Sequence, residues 1–284
     1  MLYCTPKQPP RLTGTALGHD LFVLSDLGGV VQRISATGHL VWESRLKSPR
    51  GLDVHGNKLL VGDGQALRVL DASTGADLQQ YYFDNTLLMA RIVGPSLYVL
   101  MAIKGAGAVR HYALLGNKAR LISSTPVATQ YPRGMDVDSS GVYVADTFGH
   151  RVIRLDSHSL ELRDEAASYF PNSVQLLGDR ILVAEEHLNL ISEFRLPDLK
   201  RLGPRVGRAP VLSAIKLPYS IRSEPFKNFS CATSLFSPND AVAVNKHVYI
   251  ADTDNHRIVY ILNCRIVANL TGFNNPVNIR VAYP

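Results

Sequence analysis

A hydrophobic segment of five residues recurs six times along the chain, and its period predicts a repetitive all-β fold. Successive copies begin 38, 38, 45, 39 and 67 residues apart. A period near 40, built from β-branched and aromatic residues, is typical of four-stranded blades arranged around an axis. The copies are LFVLS at Leu21–Ser25, LLVGD at Leu59–Asp63, LYVLM at Leu97–Met101, VYVAD at Val142–Asp146, ILVAE at Ile181–Glu185 and VYIAD at Val248–Asp252.

Each copy has neighbours that read as further strands. A proline-led segment with alternating apolar and polar residues precedes most copies, and a turn rich in Gly, Asn, Asp or Ser separates the two, as in a β-hairpin. No stretch shows a sustained helical stripe with caps. The pattern predicts a six-bladed β-propeller with four-stranded antiparallel blades. The proline-led segments are PRGLDV from Pro49, PRGMDV from Pro132, PNSVQL from Pro171 and PNDAVAV from Pro238.

The two ends of the chain complete one blade. Pro276–Val281 has the proline-led form but no hydrophobic copy after it, whereas the copy at Leu21 has no clear proline-led strand before it. We therefore expect the C-terminal strand to close the first blade, which would remove unpaired sheet edges. Propellers of more than 250 residues commonly form one domain, so residues 1–284 are predicted to be a single propeller domain.

Two copies extend into a longer motif. Val142–Val152 reads VYVADTFGHRV and Val248–Ile258 reads VYIADTDNHRI, each with Asp-Thr, two residues and then His-Arg. This motif resembles the NHL repeat, whose domains are typically six-bladed propellers that bind proteins or RNA; a few relatives of similar shape are metal-dependent enzymes. Because turn-stabilising residues recur from blade to blade and catalytic residues need not, a structural role is predicted for Asp146, His150, Arg151, Asp252, His256 and Arg257.

The long step between the fifth and sixth copies marks an insertion of roughly 30 residues beyond the repeat length. Residues 200–236 carry a net charge of +6, equal to that of the whole chain, and four prolines, which favour an extended loop over additional sheet. Such a loop is predicted to contact an anionic partner, either a protein surface or nucleic acid. The predicted partner-binding residues are Lys200, Arg201, Arg205, Arg208, Lys216, Arg222 and Lys227.

Candidate catalytic chemistry is sparse. The nine histidines form neither HxH nor HExxH, and the chain has no GK[ST] phosphate loop. Asp53, Asp136 and Asp240 fall on predicted inner strands and could line a channel, with Glu185 and His187 near one end of it. Carboxylates from several blades suit a hard cation, but polar residues on inner strands are common in propellers because the channel holds water. No catalytic residues, no metal site and no cofactor are predicted.

The three cysteines are odd in number and lack CxxC spacing, which argues against a disulfide framework and favours a reducing compartment. The N-terminal residues lack the apolar core of a secretory signal, and no run of residues approaches the 18 apolar positions of a membrane span. These features predict a protein of the cytoplasm, or of a virion, without membrane insertion.

A propeller without catalytic groups offers its faces, rim and loops for binding. We expect a non-enzymatic component of a larger protein assembly, such as a homo-oligomeric ring; the fold-level analogy is with propeller-bearing ring proteins in the tails of short-tailed bacteriophages. The first alternative is an NHL-type RNA-binding module that uses the basic loop. The second is a metal-dependent propeller enzyme of the lactonase or lyase type.

Overall fold

Six β-sheets make up nearly all of the ordered secondary structure. The computed structural model of the chain describes residues 9–103, 106–116, 118–127, 129–208 and 231–282. Within this part of the chain the helical elements are two single turns of 3₁₀-helix, Glu186–Leu188 and Thr253–Asn255. No helix among the described residues is long and apolar enough to cross a membrane.

The strands follow one another along the chain in hairpin-connected groups of four. The first half contains β1 (Arg11–Gly14), β2 (Leu21–Ser25), β3 (Val30–Ile34), β4 (Leu40–Arg45), β5 (Pro49–His55), β6 (Lys58–Asp63), β7 (Ala66–Asp71), β8 (Asp77–Tyr82), β9 (Thr86–Val93), β10 (Ser96–Ile103), β11 (Ala106–Leu115) and β12 (Lys118–Val127).

The second half has the same arrangement, with one additional short strand. It contains β13 (Pro132–Asp138), β14 (Gly141–Asp146), β15 (Arg151–Leu155), β16 (Leu162–Ala167), β17 (Pro171–Leu177), β18 (Arg180–Glu185), β19 (Leu190–Arg195), β20 (Arg201–Gly207), β21 (Cys231–Ala232), β22 (Pro238–Val244), β23 (His247–Asp252), β24 (Arg257–Leu262), β25 (Arg265–Thr271) and β26 (Pro276–Val281).

The sheets are the six blades of a β-propeller. Blade 1 is β26-β2-β3-β4, blade 2 is β5 to β8, blade 3 is β9 to β12, blade 4 is β13 to β16, blade 5 is β17 to β21 and blade 6 is β22 to β25 with β1 on its outer edge. The inner strands β5, β9, β13, β17, β22 and β26, all of which except β9 begin at a proline, contact one another in a closed circle around the axis. The recurring hydrophobic segments are the second strands of the blades, as predicted.

The predicted ring closure is confirmed. β26 pairs antiparallel with β2, with Val281 opposite Leu21 and Asn278 opposite Leu24. The opposite end of the chain adds a feature that the repeat did not predict, because β1 pairs with β25 and becomes a fifth strand of blade 6. The first and last described strands therefore both join sheets, and β1 covers the edge that blade 6 would otherwise expose.

The hydrophobic core is divided among the blade interfaces. Six clusters of buried apolar side chains lie one between each pair of neighbouring blades. The second strand of each blade is buried on both faces, since it lies inside its own sheet and between two neighbouring sheets. This explains why these strands are continuous hydrophobic runs rather than alternating ones.

The prediction of unpaired cysteines is wrong. Cys231 and Cys264 form a disulfide with Cα atoms 4.6 Å apart, and 33 residues separate them in sequence. Cys231 lies in β21 on the edge of blade 5, and Cys264 lies in the turn between β24 and β25 of blade 6. Spacing alone could not reveal the pair because the packing of neighbouring blades brings the two residues together. The argument from cysteines for a reducing compartment therefore loses its basis.

Candidate functional site

In blades 4 and 6, the Asp-Thr…His-Arg motif that follows the second strand binds the segment leading into the first strand of the same blade. Asp146 Oδ1 accepts a hydrogen bond from Gln130 N at 2.6 Å, and Asp252 Oδ1 accepts one from Phe236 N at 2.6 Å. The second oxygen of each carboxylate accepts from Arg151 Nε at 2.9 Å and from Arg257 Nε at 2.6 Å, respectively. Both aspartates are fully buried, so the arginines compensate charges that water cannot reach.

The same motif also joins each of these blades to the next one. Thr147 Oγ donates to the carbonyl of Pro171, and Thr253 Oγ donates to that of Pro276, both at 2.7 Å. His150 has a left-handed backbone, and its Nδ1 accepts from Phe170 N at 3.4 Å. Burial and, to a smaller extent, His187 lower the pKa of His150, which favours the neutral ring that this acceptor role requires.

Loss of either motif arginine should reduce stability. Arg151→Ala or Arg257→Ala leaves a buried carboxylate with its backbone donor but without its countercharge, so we expect the free energy of unfolding to fall by about 1–3 kcal/mol. Thermal unfolding measures the change, with the exposed Arg45→Ala as the matched control. A variant that keeps the parental melting temperature but loses a binding partner would show that the arginine belongs to a binding site instead.

The structure corrects the predicted basic loop at its N-terminal end. Residues 201–207 form β20, the fourth strand of blade 5, and not an extended loop. Arg201 pairs with the buried Glu185 through Nη1 at 2.8 Å, and Arg205 pairs with Glu193. These two cations are therefore neutralised inside the blade. Lys200 and Arg208 are exposed, and the remaining predicted contacts, Lys216, Arg222 and Lys227, lie outside the described residues.

The insertion begins and ends beside the turn that follows β18. A Cβ atom on Gly207, near its start, would lie 2.9 Å from the carbonyl oxygen of Asn189. After its end, Ser237 N donates to Asn189 Oδ1 at 2.8 Å. Asn189 caps the 3₁₀ turn that carries His187. Both ends of the basic insertion are thus attached to the face of the propeller on which this turn lies.

The three carboxylates predicted to line the channel lie on inner strands, and each of them pairs with an arginine. Arg91 Nη1 lies 3.2 Å from Asp53, and Arg91 Nε lies 3.0 Å from Asp136. Arg280 Nη1 lies 2.7 Å from Asp240, and its Nε lies 3.7 Å from Asp53. These five side chains, here called the ionic ring, come from five different blades and have a net charge of −1 when all are ionised.

The ionic ring does not fit a divalent cation. A hard cation needs several carboxylate oxygens free to coordinate it, whereas the oxygens of Asp136 and Asp240 accept hydrogen bonds from backbone amides and from Arg91 and Arg280. The described residues contain no group of three or more His, Cys, Asp and Glu side chains arranged to hold a metal. The candidate channel residues thus link neighbouring blades to one another.

One end of the channel opens into a small polar cavity of about 130 Å³, here called the mouth. In blades 4, 5 and 6 the pairing between the first two strands skips one residue, and the skipped residues are Arg133, Asn172 and Asn239. Such bulges redirect a side chain out of the regular alternation. All three residues line the mouth, together with Arg50 of blade 2 and Asn278 of blade 1.

Glycines let the blades approach closely around the mouth. Gly51 has a φ of +51°, and a Cβ atom there would lie 2.1 Å from the carbonyl oxygen of Leu88 in the next blade. A Cβ atom on Gly134 would lie 2.6 Å from Ser173 Cα. Each glycine follows an arginine in a Pro-Arg-Gly sequence, so the repeat places Arg50 and Arg133 at equivalent positions of blades 2 and 4.

A row of aromatic side chains borders the mouth on the side of blades 4 and 5. Tyr131 and Phe148 have ring centroids 5.4 Å apart, Phe148 and Phe170 lie 5.4 Å apart, and Phe170 stacks on His187 at 3.8 Å. These four residues are here called the aromatic arc. Tyr131 is 60% exposed and Phe148 is 45% exposed. The arc adjoins the mouth because Tyr131 and Phe170 directly precede the prolines before Arg133 and Asn172.

A chain of hydrogen bonds ties the arc to the mouth. Glu186, next to His187, accepts from Arg133 Nη1 at 3.3 Å and from Asn172 Nδ2 at 2.7 Å. Asn172 Nδ2 also lies 2.9 Å from Asn239 Oδ1. Sequence reasoning missed this site because its members are scattered over five blades. The available signal was positional, since most of its members flank the proline that begins an inner strand: Arg50, Tyr131, Arg133, Phe170, Asn172 and Asn239.

Comparisons with known proteins show the fold of this chain. No protein-family model matches it, and no curated protein matches its sequence; the NHL resemblance therefore stays a prediction. A Bacteroides caccae protein of unknown function is similar in structure with a TM-score of 0.70, at 14% sequence identity over 92% of this chain and 97% of that one.

Two further solved structures are similar. A Bacteroides fragilis protein whose name links it to 6-phosphogluconolactonase has a TM-score of 0.61 and 14% identity, covering 96% of this chain and 86% of its own. The computationally designed protein Ika8 has a TM-score of 0.51 and 10% identity, and the match covers 95% of this chain and 73% of Ika8. At such low sequence identities, structural similarity supports the propeller fold but gives no evidence about the activity of this chain.

Proposed function

We propose that this protein acts by binding rather than by catalysis, as a component of a protein assembly that it contacts through the aromatic arc and the mouth. The observation that carries the proposal is the exposed aromatic arc directly beside a cavity lined by two arginines. Tyrosine, phenylalanine and arginine are enriched at the centres of protein interfaces, where a few such residues supply most of the binding energy.

The arc is well suited to binding because it is held in place before a partner arrives. Phe170 packs edge-on against His150 at 4.5 Å and against Tyr169 at 4.9 Å, and both of these neighbours are themselves in mutual contact. Side chains that are already ordered lose little conformational entropy on association. The face therefore presents apolar area at low entropic cost, and the adjoining polar groups of the mouth supply orientation.

A ring of identical subunits is the form of assembly that we favour. Each copy would present this face to its neighbour, as in heterologous interfaces that close into rings. A place in the tail of a bacteriophage is the most specific version of this proposal and rests on analogy of fold alone.

Removing the exposed rings should disrupt the assembly. For the double variant Tyr131→Ser with Phe148→Ser, we expect the association constant to fall about 30-fold, the effect of losing about 2 kcal/mol at an interface centre. Native mass spectrometry across a dilution series measures the populations of oligomers. The matched control is Tyr82→Ser, which removes a 77% exposed ring at the outer edge of blade 2. A monomeric parent, or equal association of parent and double variant, contradicts the proposal.

Single-stranded RNA is the second candidate, because exposed rings and cations share one face. Arg50, Arg133 and Arg208 lie on or beside the face that carries the arc, and unpaired bases stack on aromatic rings. Titration of the parent with a labelled single-stranded RNA tests this at several salt concentrations. Binding with a log–log salt slope of about −0.7 per phosphate contact, lost in the Tyr131→Ser, Phe148→Ser variant, would favour RNA over a protein partner.

A further inference from the structure

We propose that the mouth receives the carboxylate of a single Asp or Glu side chain presented by the protein partner. This inference rests on the proposed function, since it names the chemistry of the group that the partner inserts. Three features of the mouth carry it: the arrangement of its arginines, its size, and the ionic ring beneath it.

The two Pro-Arg-Gly sequences place a pair of guanidinium groups at the mouth. Arg50 is exposed and makes no ion pair with any described residue. Arg133 uses Nη1 for Asn172 and Glu186, and the described contacts leave its Nε and Nη2 available. Guanidinium groups bind carboxylates through two parallel hydrogen bonds, which gives both energy and direction. A partner's carboxylate would thus meet donors on two sides.

The lining favours an anion over a cation. Arg50, Arg133 and Asp26 are the charged residues that line the mouth, and Glu186, which accepts from Arg133 beside it, balances one of the two arginines. Asp26 Oδ1 is already used, since it accepts from Leu27 N at 2.7 Å and from Asn275 Nδ2 at 3.2 Å. The asparagine side chains that complete the lining are neutral. An incoming ammonium group would face two arginines, whereas a carboxylate would accept from the N–H groups that Arg50 and Arg133 do not use in their described contacts.

The size of the mouth fits one side chain. Its volume of about 130 Å³ is well below the roughly 300–1,000 Å³ that is usual for small-molecule sites. Beneath it lies the ionic ring, whose ion pairs join the inner strands of five blades across the channel; Asn278 Nδ2 at the mouth donates to Asp240 of this ring at 3.2 Å. A group that enters from the face therefore stops in the mouth. With the aromatic arc beside it, the arrangement is that of an anchor pocket within a protein interface.

Blocked peptides test the proposal without the partner. The probe is acetyl-Gly-Glu-Gly-amide, and its uncharged counterpart is acetyl-Gly-Gln-Gly-amide; both are titrated into the ¹⁵N-labelled full chain and followed by NMR. We expect the Glu peptide to bind at least tenfold more tightly than the Gln peptide. Arg50→Gln and Arg133→Gln should each weaken the Glu peptide about tenfold, a loss of one charge-assisted contact. Arg45→Gln, on the outer strand of blade 1, should change nothing.

Several outcomes would overturn this inference and leave the proposed function intact. Equal binding of the Glu and Gln peptides, or equal binding of the Glu peptide to the parent and to both mouth variants, removes the carboxylate pocket. Free glutarate that binds at least tenfold more tightly than the peptide assigns the mouth to a small dicarboxylate, which also contradicts a partner side chain. The proposed function is tested separately: it fails if the Tyr131→Ser, Phe148→Ser variant associates as strongly as the parent.

Discussion

Arg201→Ala should lower the free energy of unfolding by about 3–5 kcal/mol, the cost of breaking a buried ion pair by removing one partner. The Glu185 side chain is 0% exposed and that of Arg201 is 7% exposed. Without the arginine, Glu185 keeps only its bonds from Ser168, Tyr169 and Ser192. For a chain of this size the melting temperature should fall by on the order of 10 °C.

The pH dependence of the stability difference between the parent and Arg201→Ala provides an independent check. Burial acts to raise the pKa of Glu185, but Arg201 and the two serine hydroxyls outweigh it and hold the pKa below its usual value of 4.5. A carboxyl with a lowered folded-state pKa contributes stability above the unfolded-state pKa and loses it as pH falls through the folded-state pKa. The difference between the parent and Arg201→Ala should therefore be full above pH 4.5 and shrink below it.

Lys200→Ala is the control for Arg201, because the neighbouring lysine is exposed and its loss should leave the melting temperature unchanged. Thermal unfolding of both variants at neutral and acidic pH provides the measurement. If Arg201→Ala unfolded at the parental temperature and instead lost a partner, the arginine would belong to the binding surface that its place in the basic sequence first suggested.

Asp240→Ala should have the other large effect on stability, again about 3–5 kcal/mol. This fully buried carboxylate accepts from Arg280 Nη1 at 2.7 Å and from Ile279 N at 3.1 Å, both on the strand that closes the ring. Its removal leaves the longer contact to Asp53 as the ion pair of Arg280 among the described residues. Chemical denaturation should show a lower midpoint, and limited proteolysis should cleave near the C-terminal strand before the rest of the chain.

Asp53→Asn is the matched comparison within the ionic ring. Three aspartates share two arginines, so Arg91 still has Asp136 and Arg280 still has Asp240 when Asp53 becomes neutral. Burial raises the pKa of Asp53 despite Arg91 and Arg280. Stability from such a group is present below its unfolded-state pKa and is lost as pH rises through its folded-state pKa. At neutral pH the variant should therefore match or exceed the parent; a loss as large as that of Asp240→Ala would contradict this account.

Much of the architecture was predictable because it depends on local patterns. The hydrophobic period gives the number of blades, and a proline gives the start of every inner strand except that of blade 3, which begins at Thr86. The closing pair of strands followed from an unmatched segment at each end, Pro276–Val281 and Leu21–Ser25. The contacts of Asp146 and Asp252 were also foreseeable in kind, since a carboxylate before a tight turn finds backbone donors nearby.

The candidate site was not predictable from the same patterns. Arg201 looked like a member of a basic loop until β20 was seen to carry it next to Glu185, sixteen residues earlier in the chain. Arg50 and Arg133 looked like strand residues until bulges and close blade contacts placed both at one cavity. Phe148 and Phe170 touch across two blades, and no spacing in sequence encodes that contact.

The sequence by itself determined the blades, their number and the closure of the ring, because hydrophobic periodicity and turn residues act within a few residues of each other. The tertiary structure alone decided which charges are neutralised, that Cys231 reaches Cys264, and that arginines, asparagines and aromatic rings from separate blades meet on one face. The physical reason is that burial, ion pairing and cavity shape depend on which blades are neighbours and on the ångström-scale path of the backbone between them.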